Sequence, residues 1–254
     1  MLFLTSKNEE SLDNFQRFNA NSWDDLKTRI SYKLVNKKVF HASINADDTV
    51  YEDCMDLSKV YIVTELTQDR KRMMSYTLKQ SDLEKFDKKI EDVIEQTRDN
   101  YKNDKTRRIR TLKEDILSHE TMYPLMQSMD NAMLQGANAL IEDSSEDNDN
   151  ILVITNKYNV YGASYMLDFN TLDEVYDRMK SSFYIIPLSV HQIMCVSDRY
   201  VSKGKNRYEA EDDLLDMLFE INSSTKKEED ILTYRIYHYM ADDGKIIFPI
   251  KQQL

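Results

Sequence analysis

With 254 residues, 41% of them hydrophobic and 31% charged, the chain can bury a sizeable core as one large domain or two small ones under a strongly solvated surface. Four glycines and three prolines, against about 7% and 5% in average proteins, argue against Gly-rich phosphate loops and a turn-dense all-β fold. A net charge of −11 and a pI near 4.9 disfavour general binding to nucleic-acid backbones, which needs a positive face, so a protein is the expected partner. Cys54 and Cys195 sit far apart beside apolar residues, the pattern of two buried thiols in a reducing compartment, with one disulfide as the alternative. The opening MLFLTSKNEE lacks a basic segment before its short apolar patch, and no run approaches the roughly 18 apolar residues of a membrane span. A cytoplasmic protein without membrane contact is the expectation.

In chain order, 22-SWDDLKTRISYKLVN-36 reads as an amphipathic helix, with a capping-box start at Ser22 and Trp23, Leu26, Ile30 and Leu34 on one face. The runs 57-LSKVYIVTEL-66 and 72-RMMSYTLKQ-80, separated by a polar stretch, predict a hairpin. A second capping box, Ser81 with Glu84, opens a helix carrying Leu83, Phe86, Ile90, Val93, Thr97 and Tyr101. The basic cluster Lys105, Arg107, Arg108 and Arg110 follows. It reads as a solvated helix end or connection, or else as a contact for acidic groups or nucleic acid. Residues 111–141 continue as helix, broken near Pro124 and Gly136. The segment 142-EDSSEDNDN-150 has no apolar residue. It lacks the central glycine and distal glutamate of a calcium loop, so a linker or exposed loop is expected.

From 151 the texture changes. The run 151-ILVITN-156 reads as a strand with 159-NVYGASYML-167 as its hairpin partner, and a helix follows between Thr171 and Ser181. One or two strands come from 182-SFYIIPLSVHQIMCV-196, then a helix near 209–222, and a closing hairpin from 233-TYRIYHYM-240 and 246-IIFPI-250. The fold class is therefore α+β: a helix-rich region over 1–141 with a short β-hairpin, the acidic linker 142–150, and over 151–254 a mixed antiparallel sheet flanked by helices.

The chemistry-bearing residues are sparse. His41, His119, His191 and His238 show no zinc-helix spacing, no cysteine pair could form a metal knuckle, and no nucleophile elbow, phosphate loop or dinucleotide fingerprint occurs. No metal and no cofactor are expected. The catalytic candidates are Ser189, His191 and Cys195. On one strand, His191 and Cys195 would stand about 13 Å apart, too far to act as a thiolate–imidazole pair. Ser189 and His191, behind the donor-less Pro187, could act together on a turn or could satisfy local backbone groups. The partner-binding candidates are the acidic Asp143, Glu146, Asp147 and Asp149 and the basic Arg107, Arg108 and Arg110.

The string 183-FYIIPLSVHQIMCV-196, preceded by 161-YGASYML-167 and a short helix, resembles the bacterial domain-of-unknown-function family 5688. Members carry an Asn-Gly-Ala strand, a turn and helix, then a Tyr-Ile-Leu-Pro-Ser-Ser-Val-His-Glu segment. Gly162, Ala163, Tyr184, Ile185, Pro187, Ser189, Val190 and His191 match it, and 27-KTRISYKLVN-36 and 56-DLSKVYIV-63 follow in family order. The resemblance covers most of 23–248. Two departures stand out: 168-DFN-170 replaces a Tyr-Pro-Gly turn, and Leu188 and Gln192 replace Ser and Glu. If the adjacent carboxylate orients the histidine in relatives, Gln192 cannot do so here. The resemblance implies a fold and brings no activity with it.

The functional expectation is a non-enzymatic protein-binding accessory or regulatory factor of bacterial, mobile-element or bacteriophage origin. Its sharper form is an inhibitor of a host nucleic-acid machine, anti-CRISPR-like, that lays acidic side chains into a positive channel. The alternative is a hydrolase or transferase built on Ser189, His191 or Cys195 beside acidic residues such as Asp198. It requires His191 in a pocket, close to a polar side chain from another element. Direct nucleic-acid binding through residues 105–110 is a third reading, at odds with the overall charge.

Overall fold

A computed structural model describes residues 22–43, 48–67, 72–118 (except the Leu117 side chain), 149–203, 206–225 and 227–247. Ser22 caps the first helix, α1 (Trp23–Lys27), by accepting the Asp25 N–H at 3.2 Å. The expected helix through residue 36 stops there. Ile30–Asn36 is instead a strand, β1, in which Ile30, Tyr32 and Leu34 point inward at every second position. Apolar residues at i, i+4 and i+8 fit a helix, but those at i, i+2 and i+4 fit a strand equally well. A full-length partner decides between them. That partner is β3 (Leu57–Leu66), paired antiparallel from Ile30↔Val63 to Asn36↔Leu57.

Between them lie α2 (Lys37–His41) and β2 (Tyr51–Cys54). The expected hairpin is present, with β4 (Met73–Thr77) returning along β3. β2 and β4 lie end to end along the other edge of β3, joined by a bridge between Thr49 and Lys79. The helix expected from Ser81 to Tyr101 is two helices, α3 (Gln80–Lys85) and α4 (Ile90–Lys102). Asp87, at φ +52°, makes the break by turning the chain into the left-handed region. Asp82 and Asp92 supply the caps by accepting the N–H groups of Lys79 at 3.0 Å and Lys89 at 2.9 Å, in place of the Ser81–Glu84 box.

A second sheet has six antiparallel strands in the order β10-β9-β7-β8-β6-β5. They are β5 (Arg107–Thr111), β6 (Ile151–Asn156), β7 (Phe183–Ser189), β8 (Gln192–Ser197), β9 (Tyr237–Met240) and β10 (Lys245–Ile247). The basic cluster is thus an edge strand rather than a helix end, and β5, which precedes the acidic segment, pairs with β6, which follows it. Of the helix expected over 111–141, α5 (Leu112–Ser118) is described, and residues 119–148 lie outside the described residues. The remaining helices are α6 (Phe169–Met179), α7 (Asp198–Val201) and α8 (Arg207–Ser224), with short 3-10 helices at Gly162–Leu167 and Glu228–Asp230.

The expected hairpin partner of β6 is therefore the Gly162–Leu167 3-10 helix and the turn before it. Asn156 bends the chain away from the sheet: its Oδ1 accepts the Tyr158 and Val160 N–H groups and its Nδ2 donates to the Val160 carbonyl. Asn159 and Tyr161 then adopt φ of +54° and +55°, which no strand tolerates. The architecture is α+β, with antiparallel sheets.

The central strands explain the apolar run. One face of the six-stranded sheet (Leu152, Ile154, Phe183, Ile185, Ile193, Cys195) shares a core with Tyr61 and Leu34 of the first sheet and Leu172 and Val175 of α6. The opposite face (Ile151, Val153, Tyr184, Ile186, Met194, Val196) lies under Leu218 and Ile221 of α8. A strand covered on both sides has no solvent face to make polar, so β7 and β8 read as one greasy stretch. Each such side chain, fully buried, contributes about 1.5–3 kcal/mol. Pro187 is accommodated because the β7–β9 ladder ends at Ile185↔Tyr237, two residues short of it, and β7 bulges between Pro187 and Ser189.

Candidate functional site

Val190 and His191 form the turn between β7 and β8, so His191 does not share a strand with Cys195. The turn is tied down from four directions. Ser189 Oγ accepts the His191 N–H at 3.1 Å, and the His191 carbonyl accepts from Thr155 Oγ1 at 2.9 Å. The Val190 N–H donates to the Asp230 carbonyl at 2.9 Å, and the Val190 carbonyl accepts from the Ala163 N–H at 3.4 Å. The imidazole is contacted at both nitrogens and its side chain is 31% exposed. Nδ1 accepts the Tyr161 N–H at 3.2 Å, and Nε2 lies 3.3 Å from the Asp230 carboxylate.

Gly162 is the other half of this arrangement. A Cβ there would stand 2.5 Å from the His191 carbonyl oxygen and 2.7 Å from the Thr155 Cα, so only a glycine lets the 3-10 helix approach the turn. Of the residues that carry the family resemblance, Gly162, Ala163, Ser189, Val190 and His191 thus meet in one junction of β6, the 3-10 helix, the β7–β8 turn and the Glu228–Asp230 turn, while Tyr184 and Ile185 lie in the two cores on either face of β7.

What this junction can do chemically is limited. A carboxylate–imidazole pair orients a general base only if the second nitrogen is open to substrate, and here that nitrogen holds a backbone amide. Ser189 Oγ engages the neighbouring backbone rather than the ring. Cys195 is fully buried, and burial pushes its thiol pKa well up, the opposite of an activated nucleophile. Asp198 pairs with His238 at 2.9 Å rather than with His191.

Beyond the Tyr161 backbone lies a cleft of about 390 Å³ between the two sheets, lined by residues that include Ser31, Tyr101, Asp104, Tyr161, Ser164 and Tyr165. His191 is not among its lining residues. Its hydroxyls are engaged with one another: Tyr101 donates to Ser164 Oγ at 2.7 Å, Ser164 donates to the Tyr161 carbonyl at 2.7 Å, and Tyr165 donates to Asp104. Burial raises the pKa of both Tyr101 and Tyr165, with Asp104 adding to the rise, so neither phenol is poised to ionise near neutrality.

The partner-binding candidates are dispersed. Arg107 reaches Asp168 at 3.3 Å and Glu174 at 2.5 Å, Arg108 sits opposite Thr155 on β5, and Arg110 donates to Ser118 at 2.8 Å with Asp115 at 4.0 Å. Asp149 pairs with Arg178 at 2.6 Å. Asp143, Glu146 and Asp147 lie outside the described residues. Sequence reasoning missed Asp230 and the Tyr161 backbone, because the first is 39 positions from His191 and the second acts through an N–H group. The one local signal was Gly162, in a chain with only four glycines. Among the described residues no group of three His, Cys, Asp or Glu could hold a metal ion, and no helix is long and apolar enough to cross a membrane.

The junction's residues coincide with a family pattern, and the family model matches residues 2–241 of the 254. The chain belongs to the family of unknown function DUF5688. No curated protein and no solved structure matches it. In this DUF5688 chain, the turn within the segment that carries the resemblance is a junction in which the Ser189 hydroxyl and His191 Nδ1 bind backbone amides.

Proposed function

We propose that the protein is a non-enzymatic, protein-binding accessory or regulatory factor of bacterial, mobile-element or bacteriophage origin that acts through an acidic surface. Its sharper form is an inhibitor of a host nucleic-acid machine that occupies a positively charged channel. The observation that carries the reading is the hydrogen bond from the Tyr161 N–H to His191 Nδ1, which occupies the nitrogen that an Asp230-oriented base would present to a substrate. The net charge of −11 supports a partner with a basic surface and opposes a nucleic-acid ligand. The free thiols of Cys54 and Cys195 are in keeping with a cytoplasmic setting.

The test is co-purification of the tagged full chain from a bacterial host lysate at low and high salt. A stoichiometric partner that dissociates as ionic strength rises is expected. Absence of any such partner overturns the proposal. A second reading, a hydrolase or transferase using Ser189, His191 or Cys195, draws on the Asp230–His191 contact. It requires His191→Ala to abolish a measured turnover while the melting curve stays unchanged. The binding reading expects the variant to be destabilised by about 1 kcal/mol, since the part-buried Tyr161 amide loses its acceptor.

A further inference from the structure

The edge of a β-sheet is a row of backbone N–H and C=O groups that either find partners within the fold or stay open to another strand. β4 (Met73–Thr77) lies on such an edge, with β3 as its hydrogen-bonded neighbour. The Thr67 N–H donates to the Arg72 carbonyl at 2.9 Å, so Arg72 faces β3 and, by the alternation of an antiparallel ladder, so do Met74 and Tyr76. The N–H and C=O groups of Met73, Ser75 and Thr77 therefore point away from the sheet. Among the described residues nothing bonds these backbone groups, although the Ser75 hydroxyl donates to Tyr161 Oη at 3.3 Å. All five residues of the strand are half-buried and keep part of their surface in solvent.

The other edges are guarded. On β1, the Ile30 carbonyl accepts from Asn100 Nδ2 at 2.8 Å and the Tyr32 carbonyl from Tyr101 Oη at 3.4 Å. On β5, the Ile109 carbonyl accepts from Arg178 Nη1 at 2.9 Å, and the Thr111 N–H donates to Glu114 at 2.8 Å. β2 carries Glu52 and Asp53, while β10 is three residues long and opens with Lys245. Met73–Thr77 has no charged residue and no proline, the devices that ordinarily keep an edge from pairing.

We infer that this edge pairs antiparallel with the same edge of a second copy, joining the two four-stranded sheets across a two-fold axis at Ser75. The strand is its own complement. With Ser75 opposite Ser75 of the second copy, Met73 faces Thr77 and Thr77 faces Met73, and the outward groups close into roughly six N–H···O bonds. No like charges meet along the seam, whereas a strand of another protein would find no charge on β4 to select it. Glu65, opposite Met74 on β3, has Arg29 at 3.8 Å. The net charge of −11 on each copy opposes approach, but physiological salt screens it beyond about 8 Å. Such a dimer tightens as salt rises, the reverse of the partner proposed above, and it does not depend on that partner.

The test is sedimentation of the full chain from micromolar to sub-millimolar concentration, alongside three variants. Ser75→Pro removes an outward N–H without touching the β3 ladder. Met73→Lys with Thr77→Lys, and Met73→Glu with Thr77→Glu, set like charges opposite each other in this register, while a mixture of the two sets opposite charges together. Thermal melts equal to the native one establish that the variants fold. The native chain is expected to show a monomer–dimer equilibrium that tightens with salt, and each variant alone a roughly tenfold weaker dimer. The equimolar mixture of the two charged variants should recover the native strength. A native chain that stays monomeric throughout overturns the inference, as does a dimer that the variants leave unchanged. So does a mixture no tighter than its components, a result that holds even if Ser75→Pro fails to fold. If the native chain is monomeric and Ser75→Pro loses a partner captured from lysate, the edge takes another protein's strand and the second copy is wrong.

Discussion

The imidazole of His191 ties the β7–β8 turn to the chain before the 3-10 helix. Its Nδ1 holds the Tyr161 N–H and its Nε2 faces Asp230, while the backbone carbonyl of the same residue takes the Thr155 hydroxyl. Tyr161 pays for this arrangement with a left-handed φ of +55°, a conformation worth of order 1–3 kcal/mol that the surrounding bonds must sustain. Gly162 is the tightest point, because two of the three atoms a new Cβ would meet at 2.7 Å or less, the His191 carbonyl oxygen and the Thr155 Cα, are backbone and cannot swing aside. Gly162→Ala should therefore destabilise the protein by about 1–3 kcal/mol, measurable as a lowered urea midpoint with an unchanged slope. A neutral result would mean that the 3-10 helix can back away from the turn. From sequence, the enclosure of the apolar residues between 183 and 196 and the local role of Ser189 were legible, because an apolar run and a hydroxyl just after a proline state them directly, whereas His191 is 31% exposed. Asp230 was not, since nothing in a single chain reports a contact formed 39 positions away.

At the scale of elements, strand β1 marks the limit of periodicity arguments. Trp23, Leu26, Ile30 and Leu34 fit one helical face, yet the last two belong to a strand because β3 offers seven residues of ladder. The long buried strands, the closing hairpin and helices α6 and α8 were readable, as their patterns leave one interpretation. The break at Asp87 was not, since no glycine or proline announces it. Helix α2 is held to the first sheet by a carboxylate. Asp53 of β2 accepts from Ser58 Oγ at 2.7 Å, and lies 3.0 Å from Lys37 Nζ and 3.1 Å from His41 Nε2. Burial alone would raise the Asp53 pKa, but these three hydrogen bonds together hold it at about 2, against the usual 3.8. A depressed carboxylate pKa contributes stability that is complete above 3.8 and is lost as pH falls toward 2. Asp53→Asn should consequently be less stable than the native chain at pH 5, with the gap closing between pH 4 and pH 2. Urea midpoints across that range check it, and a gap independent of pH would refute the assignment.

Across the whole molecule, tyrosine takes much of the role that aliphatic residues fill in other cores. Tyr32, Tyr61, Tyr101, Tyr165, Tyr184, Tyr237 and Tyr239 all have pKa values raised by burial. Several donate to carboxylates that oppose ionisation further, among them Glu52, Asp104, Glu211 and Asp56. Tyr239, hydrogen-bonded to Asp173, is pushed up to about 12. A raised phenol pKa contributes stability that is complete below the ordinary value of 10 and drains away as pH climbs through the folded value, because the unfolded chain releases its protons first. Phenolate absorbance from these residues should thus emerge above pH 10 in one step that coincides with loss of the far-ultraviolet dichroism. Completion of the phenolate change for all 16 tyrosines in the still-folded protein would show these rings to be accessible.

The double engagement of His191 also bears on how genetic data at this position are to be read. A chain loosened by a kcal/mol or two is cleared faster by cellular proteases, so its steady-state amount falls several-fold. A strain carrying alanine at 191 would then lose the protein's effect in the manner of a dead enzyme, through scarcity rather than lost chemistry. Immunoblot quantities, taken beside the phenotype, tell the two apart.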